Sequence, residues 1–308
     1  MRVRFSLQWI KLMPMRQFTA IADLPGELVR FDSPAGSLAL RASGSGKPLL
    51  LIHSINAAPS SAEMAPLHRH YEGTRSVFSL DLPGFGASER SDRAYTPRLM
   101  TDAIHAATQE IRRRCGPVPV DALALSLSCE FLARAATEQP GHYRSLGLVS
   151  PTGFNGTDVR RGPPGSTMAI PWLQRLLRGS GAWPVLFRTL TRPGVIRYFL
   201  RKTFGSRQID DWLHEQAVQT ARAPGAAYAP FYFLTGSLFS RDIHTLYDGL
   251  RCSVWMCHGV RGDFTDYRQK SRMQMAANWQ FSVMQTGALP HFETPERFFD
   301  EYDRFLSP

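Results

Sequence analysis

Three side-chain types with chemistry to offer stand far apart in this chain. Ser126 lies in Ala124-Leu125-Ser126-Leu127-Ser128, between a short apolar run and a helical stretch. Asp263 follows Cys257-His258-Gly259-Val260-Arg261-Gly262. His291 sits in Gly287-Ala288-Leu289-Pro290-His291-Phe292-Glu293-Thr294-Pro295. A hydroxyl, a carboxylate and an imidazole are the groups that nucleophilic acyl transfer employs. The four cysteines (115, 129, 252 and 257) lack paired CxxC spacing for zinc and are too few for a disulfide scaffold. They fit a reducing, cytoplasmic compartment, and serine chemistry needs no metal or organic cofactor.

The elements that must position these residues follow an alternating pattern. Glu27–Asp32 and Ser37–Arg41 predict a hairpin joined by Pro34-Ala35-Gly36. Pro48–His53 is a continuous apolar run, as expected of a strand buried on both faces. Ser76–Leu82, Val120–Leu125, Ser145–Val149, Ser253–Cys257 and Gln280–Gln285 repeat it. Helical stretches are expected at Pro97–Arg114, Cys129–Glu138, Arg268–Asn278 and Pro295–Leu306. This alternation predicts a mostly parallel sheet with helices on both faces. It breaks over residues 155–240, where aromatics such as Trp172, Trp183 and Trp212 accompany helical patterns and Pro/Gly punctuation. The expected organisation is an N-terminal extension (1–26), an α/β core (27–154 and 241–308) and a helical cap insertion (155–240).

Four segments, in this order, resemble the α/β-hydrolase superfamily across residues 27–306. Asp81-Leu82-Pro83-Gly84-Phe85-Gly86-Ala87-Ser88 is similar to the family's D-x-P-G-x-G-x-S turn, a structural loop near the active-site entrance. His53-Ser54-Ile55-Asn56 stands where the family has His-Gly-x-x, which implies an oxyanion-hole N–H from Ile55. Ala124 to Ser128 resembles the nucleophile elbow G-x-S-x-G, with small residues in place of both glycines. By that resemblance Ser126 is the nucleophile and Leu127 N–H the second oxyanion donor, while Ser128 is a competing nucleophile one helical step too late. The segment after Cys257 resembles G-x-x-D with one extra residue, making Asp263 the carboxylate that orients a histidine and Asp266 the fallback. The expected fold is an eight-stranded, mostly parallel sheet with a helical cap.

The resemblance fails at one position. The 287–295 segment is similar to G-H-x-P-x-x-E-x-P, but the catalytic histidine's place holds Ala288. An imidazole must take the serine proton and return it to the leaving group, and a methyl does neither. Three accounts stay open: His291 takes the role, His53 or His258 substitutes, or the base is absent. The first implies a serine hydrolase cleaving an ester or related acyl bond of a small, largely apolar substrate. The last implies a pseudoenzyme that binds a small molecule or partner in the capped pocket.

Charge narrows the partners. The chain carries 36 basic and 26 acidic residues, a net +10, with 32 arginines against 4 lysines. Residues 155–240 hold 11 basic and 4 acidic residues, so +7 falls on the insertion and the core is near neutral. With no recognised module beside it, the charge does not indicate a nucleic-acid partner. No apolar run reaches the roughly 18 residues of a membrane span. The insertion's arginines, interleaved with aromatics, fit a solvated face with snorkelling stems, attraction of an anionic substrate, or peripheral contact with an anionic membrane.

Overall fold

The computed structural model describes residues 24–307. Most of the expected N-terminal extension lies outside the described residues. Eight strands form one sheet in the order β1-β2-β4-β3-β5-β6-β7-β8. They are β1 (Glu27–Ser33), β2 (Gly36–Ser43), β3 (Pro48–Ile52), β4 (Ser76–Asp81), β5 (Val120–Leu125), β6 (Tyr143–Val149), β7 (Ser253–Gly259) and β8 (Trp279–Met284). β2 is antiparallel to both β1 and β4, and every other pairing is parallel.

The helices are α1 (Ala65–Tyr71), α2 (Pro97–Cys115), α3 (Ser128–Glu138), α4 (Pro171–Gly179), α5 (Trp183–Leu190), α6 (Pro193–Phe204), α7 (Asp211–Arg222), α8 (Tyr228–Leu234), α9 (Ile243–Asp248), α10 (Pro290–Glu293) and α11 (Pro295–Leu306). Strands buried on both faces divide their side chains by parity. Leu50, Ile52, Ala122 and Ala124 join a cluster with Ile104 and Phe131. Leu49, Leu51, Leu123 and Leu125 join one with Trp255 and Phe298. The continuous apolar runs therefore feed two cores, one on each face of the sheet.

One expected element is corrected. A helix over Arg268–Asn278 is replaced by a 3₁₀ turn, Arg268–Met273. The segment is held by non-local partners: Gln269 donates its N–H to Phe154 O (3.1 Å) and its side-chain amide to Asp158 O (2.8 Å). These bonds fix the chain against residues 154–158 in place of a helical ladder. The helices α4 to α8 all lie between β6 and β7, within the stretch where the alternation breaks.

Candidate active site

The turn between β5 and α3 has a special backbone. Ser126 adopts φ +52°, in the left-handed region that non-glycine residues rarely enter. Three hydrogen bonds hold it there: its N–H donates to Val149 O (2.9 Å), and its carbonyl accepts from Cys129 N–H (3.1 Å) and Thr152 N–H (3.4 Å). Flanking residues are small and enclosed, with Ala124 and Ser128 fully buried and Ser126 itself partly exposed. Ser128 Oγ is buried without a hydrogen-bond partner. Behind the turn, buried Glu130 of α3 accepts from Thr152 Oγ1 (2.6 Å) and Ser240 N–H (2.8 Å). Burial raises the Glu130 pKa against these hydrogen bonds.

Next to the turn runs the loop after β3. Ile52 pairs with Ala124 in the parallel ladder, so the chains leave β3 and β5 side by side. Ser54 stands where glycine would be usual, and a buried carboxylate fixes it. Glu63 accepts from Ser54 N–H (2.7 Å), Ser54 Oγ (3.1 Å) and Asn56 Nδ2 (2.8 Å). Among the described residues, neither Ile55 N–H nor Leu127 N–H has an acceptor. Leu127 also opens α3, where the helix dipole favours negative charge.

Among the described residues, the expected carboxylate and histidine make their hydrogen bonds and ion pairs with groups other than the serine. Asp263 is exposed, and its partner is Lys202 Nζ at 3.3 Å. Asp266 pairs with Arg268 and accepts Gly156 N–H; the Arg268 guanidinium holds its carboxyl well below the usual range. His291 is fully buried and places Nε2 2.8 Å from Glu63 O, while Nδ1 has no partner. Since a carbonyl only accepts, Nε2 carries the proton. Desolvation pushes the His291 pKa down to about 4. The remaining histidine candidates are committed too. His53 bonds Ser54 O through Nδ1 (2.6 Å) and accepts Leu82 N–H at Nε2 (3.0 Å). His258 bonds Gly259 O through Nδ1 (2.9 Å), has Lys270 Nζ 3.0 Å from Nε2, and stacks on Tyr267 at 4.0 Å. No hydrogen bond joins Ser126 Oγ to any histidine among the described residues. An Asp263–histidine pair and a His291–Ser126 pair are therefore not arrangements of this structure.

The Ala288 backbone is tightly framed. Ala288 is buried; its N–H donates to Thr203 O (2.8 Å) of α6, and its carbonyl accepts from Ser150 Oγ (2.8 Å). Ser150 is the second non-glycine residue at positive φ (+48°), and its N–H donates to Cys257 O (2.7 Å). Tyr267, whose pKa is raised by burial, stacks on His258. Spacing gave no sign of Glu63, Ser150, Tyr267 or Lys270, because each meets its partners in other elements of the fold.

The Asp81 turn is a brace. Asp81 accepts Ser61 N–H (2.7 Å) and Ala87 N–H (2.8 Å), and its carbonyl accepts from Ser88 Oγ (2.5 Å). Gly84 has φ +86°, and a Cβ there would lie 2.4 Å from Ala229 Cβ, so α8 rests directly on this turn. A groove of about 610 Å³ runs between residues 86–92 and 223–228, lined by Arg30, Arg90, Asp92 and Tyr228 rather than by Ser126. Among the described residues no three His, Cys, Asp or Glu side chains are grouped to hold a metal ion.

A strained serine between strand and helix, on an eight-stranded sheet of this order, agrees with the sequence match: the profile described as the alpha/beta hydrolase family covers residues 49–301. The chain belongs to the alpha/beta hydrolase family. No curated protein matches it. Among solved structures, this hydrolase-family chain is similar to an esterase from Exiguobacterium antarcticum (TM-score 0.70, 15% identity, 92% of this chain and 100% of that one). It is also similar to a thermophilic esterase from Thermogutta terrifontis (0.67, 18%, 92% and 98%). A third is a serine hydrolase involved in carbazole degradation (0.69, 14%, 91% and 99%). At these identities the likeness establishes the hydrolase fold alone.

Proposed function

We propose that this hydrolase-family chain recognises a small, largely apolar ester or related acyl compound at Ser126 but lacks the imidazole that drives turnover. The observation that carries this is the pairing of a retained elbow with Ala288. A left-handed serine costs of order 1–3 kcal/mol and persists only where its surroundings impose it. Ile55 and Leu127 N–H groups are the donors for the substrate carbonyl oxygen. Among the described residues no histidine hydrogen-bonds Ser126 Oγ, and His53, His258 and His291 each hold a partner elsewhere through at least one ring nitrogen. Removal of one triad member leaves residual rate from binding and the oxyanion donors, so slow esterase activity is expected. The insertion acts in this reading as a cap over the site.

Ala288→His tests it. A nitrophenyl butyrate assay and a fluorophosphonate probe are applied to both proteins. The parent chain should label slowly, and Ala288→His should label at Ser126 and turn over roughly 10- to 100-fold faster, the scale of a histidine acting without its carboxylate. Fast labelling of the parent chain at Ser126 would show a working base and sink the proposal. Unchanged behaviour of Ala288→His would mean that the cleft no longer accepts acyl substrates.

A further inference from the structure

The insertion's surface carries an inference independent of the chemistry at Ser126. Residues 159–209 contain 10 arginines and lysines and not one aspartate or glutamate. Three successive helices in this stretch turn apolar side chains outward. Trp172 and Leu176 of α4, Val185 of α5, and Tyr198 and Phe199 of α6 are between 51% and 63% exposed. The helical spacing sets cations beside them: Arg175 lies on the Trp172–Leu176 stripe, Arg188 follows Val185 by three residues, and Arg201 follows Tyr198 by three. α4 has no buried residue at all. Among the described residues Arg188, Arg192 and Arg201 have no carboxylate partner, and Arg175 reaches only the Pro171 carbonyl (3.4 Å) in its own helix.

We propose that the outward apolar and cationic side chains of α4, α5 and α6 dock on an anionic phospholipid bilayer. Indole, leucine and valine groups would enter the boundary between headgroups and acyl chains, while guanidinium groups on flexible stems stay at phosphate level. Each of these arginines gains from the negative surface potential of such a bilayer. Charge argues against the other occupants. A second copy would set one acid-free stretch against another. A nucleic acid would use the arginines but has no use for exposed Leu176 and Val185, which neither stack on bases nor bond phosphate.

The test is co-sedimentation of the full chain with vesicles of phosphatidylglycerol and phosphatidylcholine in equal parts, against vesicles of phosphatidylcholine alone. Binding to the anionic vesicles should weaken with added salt and blue-shift tryptophan emission. Arg175→Gln with Arg188→Gln should weaken it by about fivefold per arginine. Trp172→Ala with Leu176→Ala should weaken it by roughly tenfold or more. Arg251→Gln with Arg304→Gln, the same charge change at exposed sites on the core, should leave it intact. Binding to neither vesicle overturns the proposal, as does equal loss in the core pair. A dimer dissolved by the Trp172/Leu176 pair, or salt-sensitive binding to duplex DNA that ignores that pair, would assign these side chains to those occupants instead.

Discussion

Ser126 and Ala288 are both held by hydrogen bonds from segments distant in the chain. The Ser126 backbone is fixed by three hydrogen bonds in a conformation that favours glycine, whereas the Ala288 backbone is held by Thr203 and Ser150 and its side chain is a bare methyl. His291 is a strut: through Glu63 O it supports the residue whose carboxylate sets Ser54. Accordingly His291→Asn, which keeps an N–H donor, should leave probe labelling at Ser126 unchanged within about twofold. A large drop in labelling would return the base role to His291. Ser128 offers a second measurement. Its hydroxyl is fully buried and unpartnered, so Ser128→Ala should raise stability by about 1 kcal/mol in denaturant unfolding. Local signals made the serine legible, since the elbow needs only small neighbours between a strand and a helix. The Glu63–His291 bond spans 228 positions and leaves no trace in spacing.

At the scale of elements, the end of α6 and the two loops it meets behave as one joint. Ala288 N–H donates to Thr203 O, and Asp263 N–H lies 3.4 Å from Lys202 O, so adjacent carbonyls near the helix end serve both loops. Gly287 allows the approach: a Cβ there would stand 2.3 Å from Thr203 O. Gly287→Ala should therefore cost about 1–3 kcal/mol of stability, read as a lower melting temperature, by forcing helix and loop apart. A melt indistinguishable from the parent would show that the joint is looser than its geometry. Strands were legible as elements because runs such as PLLLI and VDALAL are buried on both faces and need no periodic polar side. The 268–278 stretch was not. Helical patterning there yields to Gln269's bonds with residues 154 and 158, and Met275 ends 92% exposed.

Two buried imidazoles link the whole molecule to pH. His68 and His291 both have their pKa lowered to about 4, chiefly by burial, from an ordinary 6.5. Below pH 6.5 the unfolded chain binds protons that these folded sites refuse. Stability is therefore intact above about pH 6.5 and is lost progressively toward pH 4, by up to about 3 kcal/mol per histidine. His291→Gln, which retains an amide donor for Glu63 O, should flatten the fall in melting temperature between pH 7 and pH 5. An unchanged slope would place the linkage elsewhere. The net +10 is legible from composition, yet its meaning depends on placement, because +7 of it falls within residues 155–240.

Phe204, the last residue of α6, is 3% exposed and belongs to the same apolar cluster as Trp255 of β7 and Phe298 of α11. A ring from the inserted segment is thus a structural member of the sheet's own core. That end of the insertion cannot melt while the sheet stays folded without opening a cavity between β7 and α11. Heat unfolding of α6 and of the sheet should therefore share one cooperative transition, whereas α4, with no buried side chain, exchanges its amide hydrogens long before either.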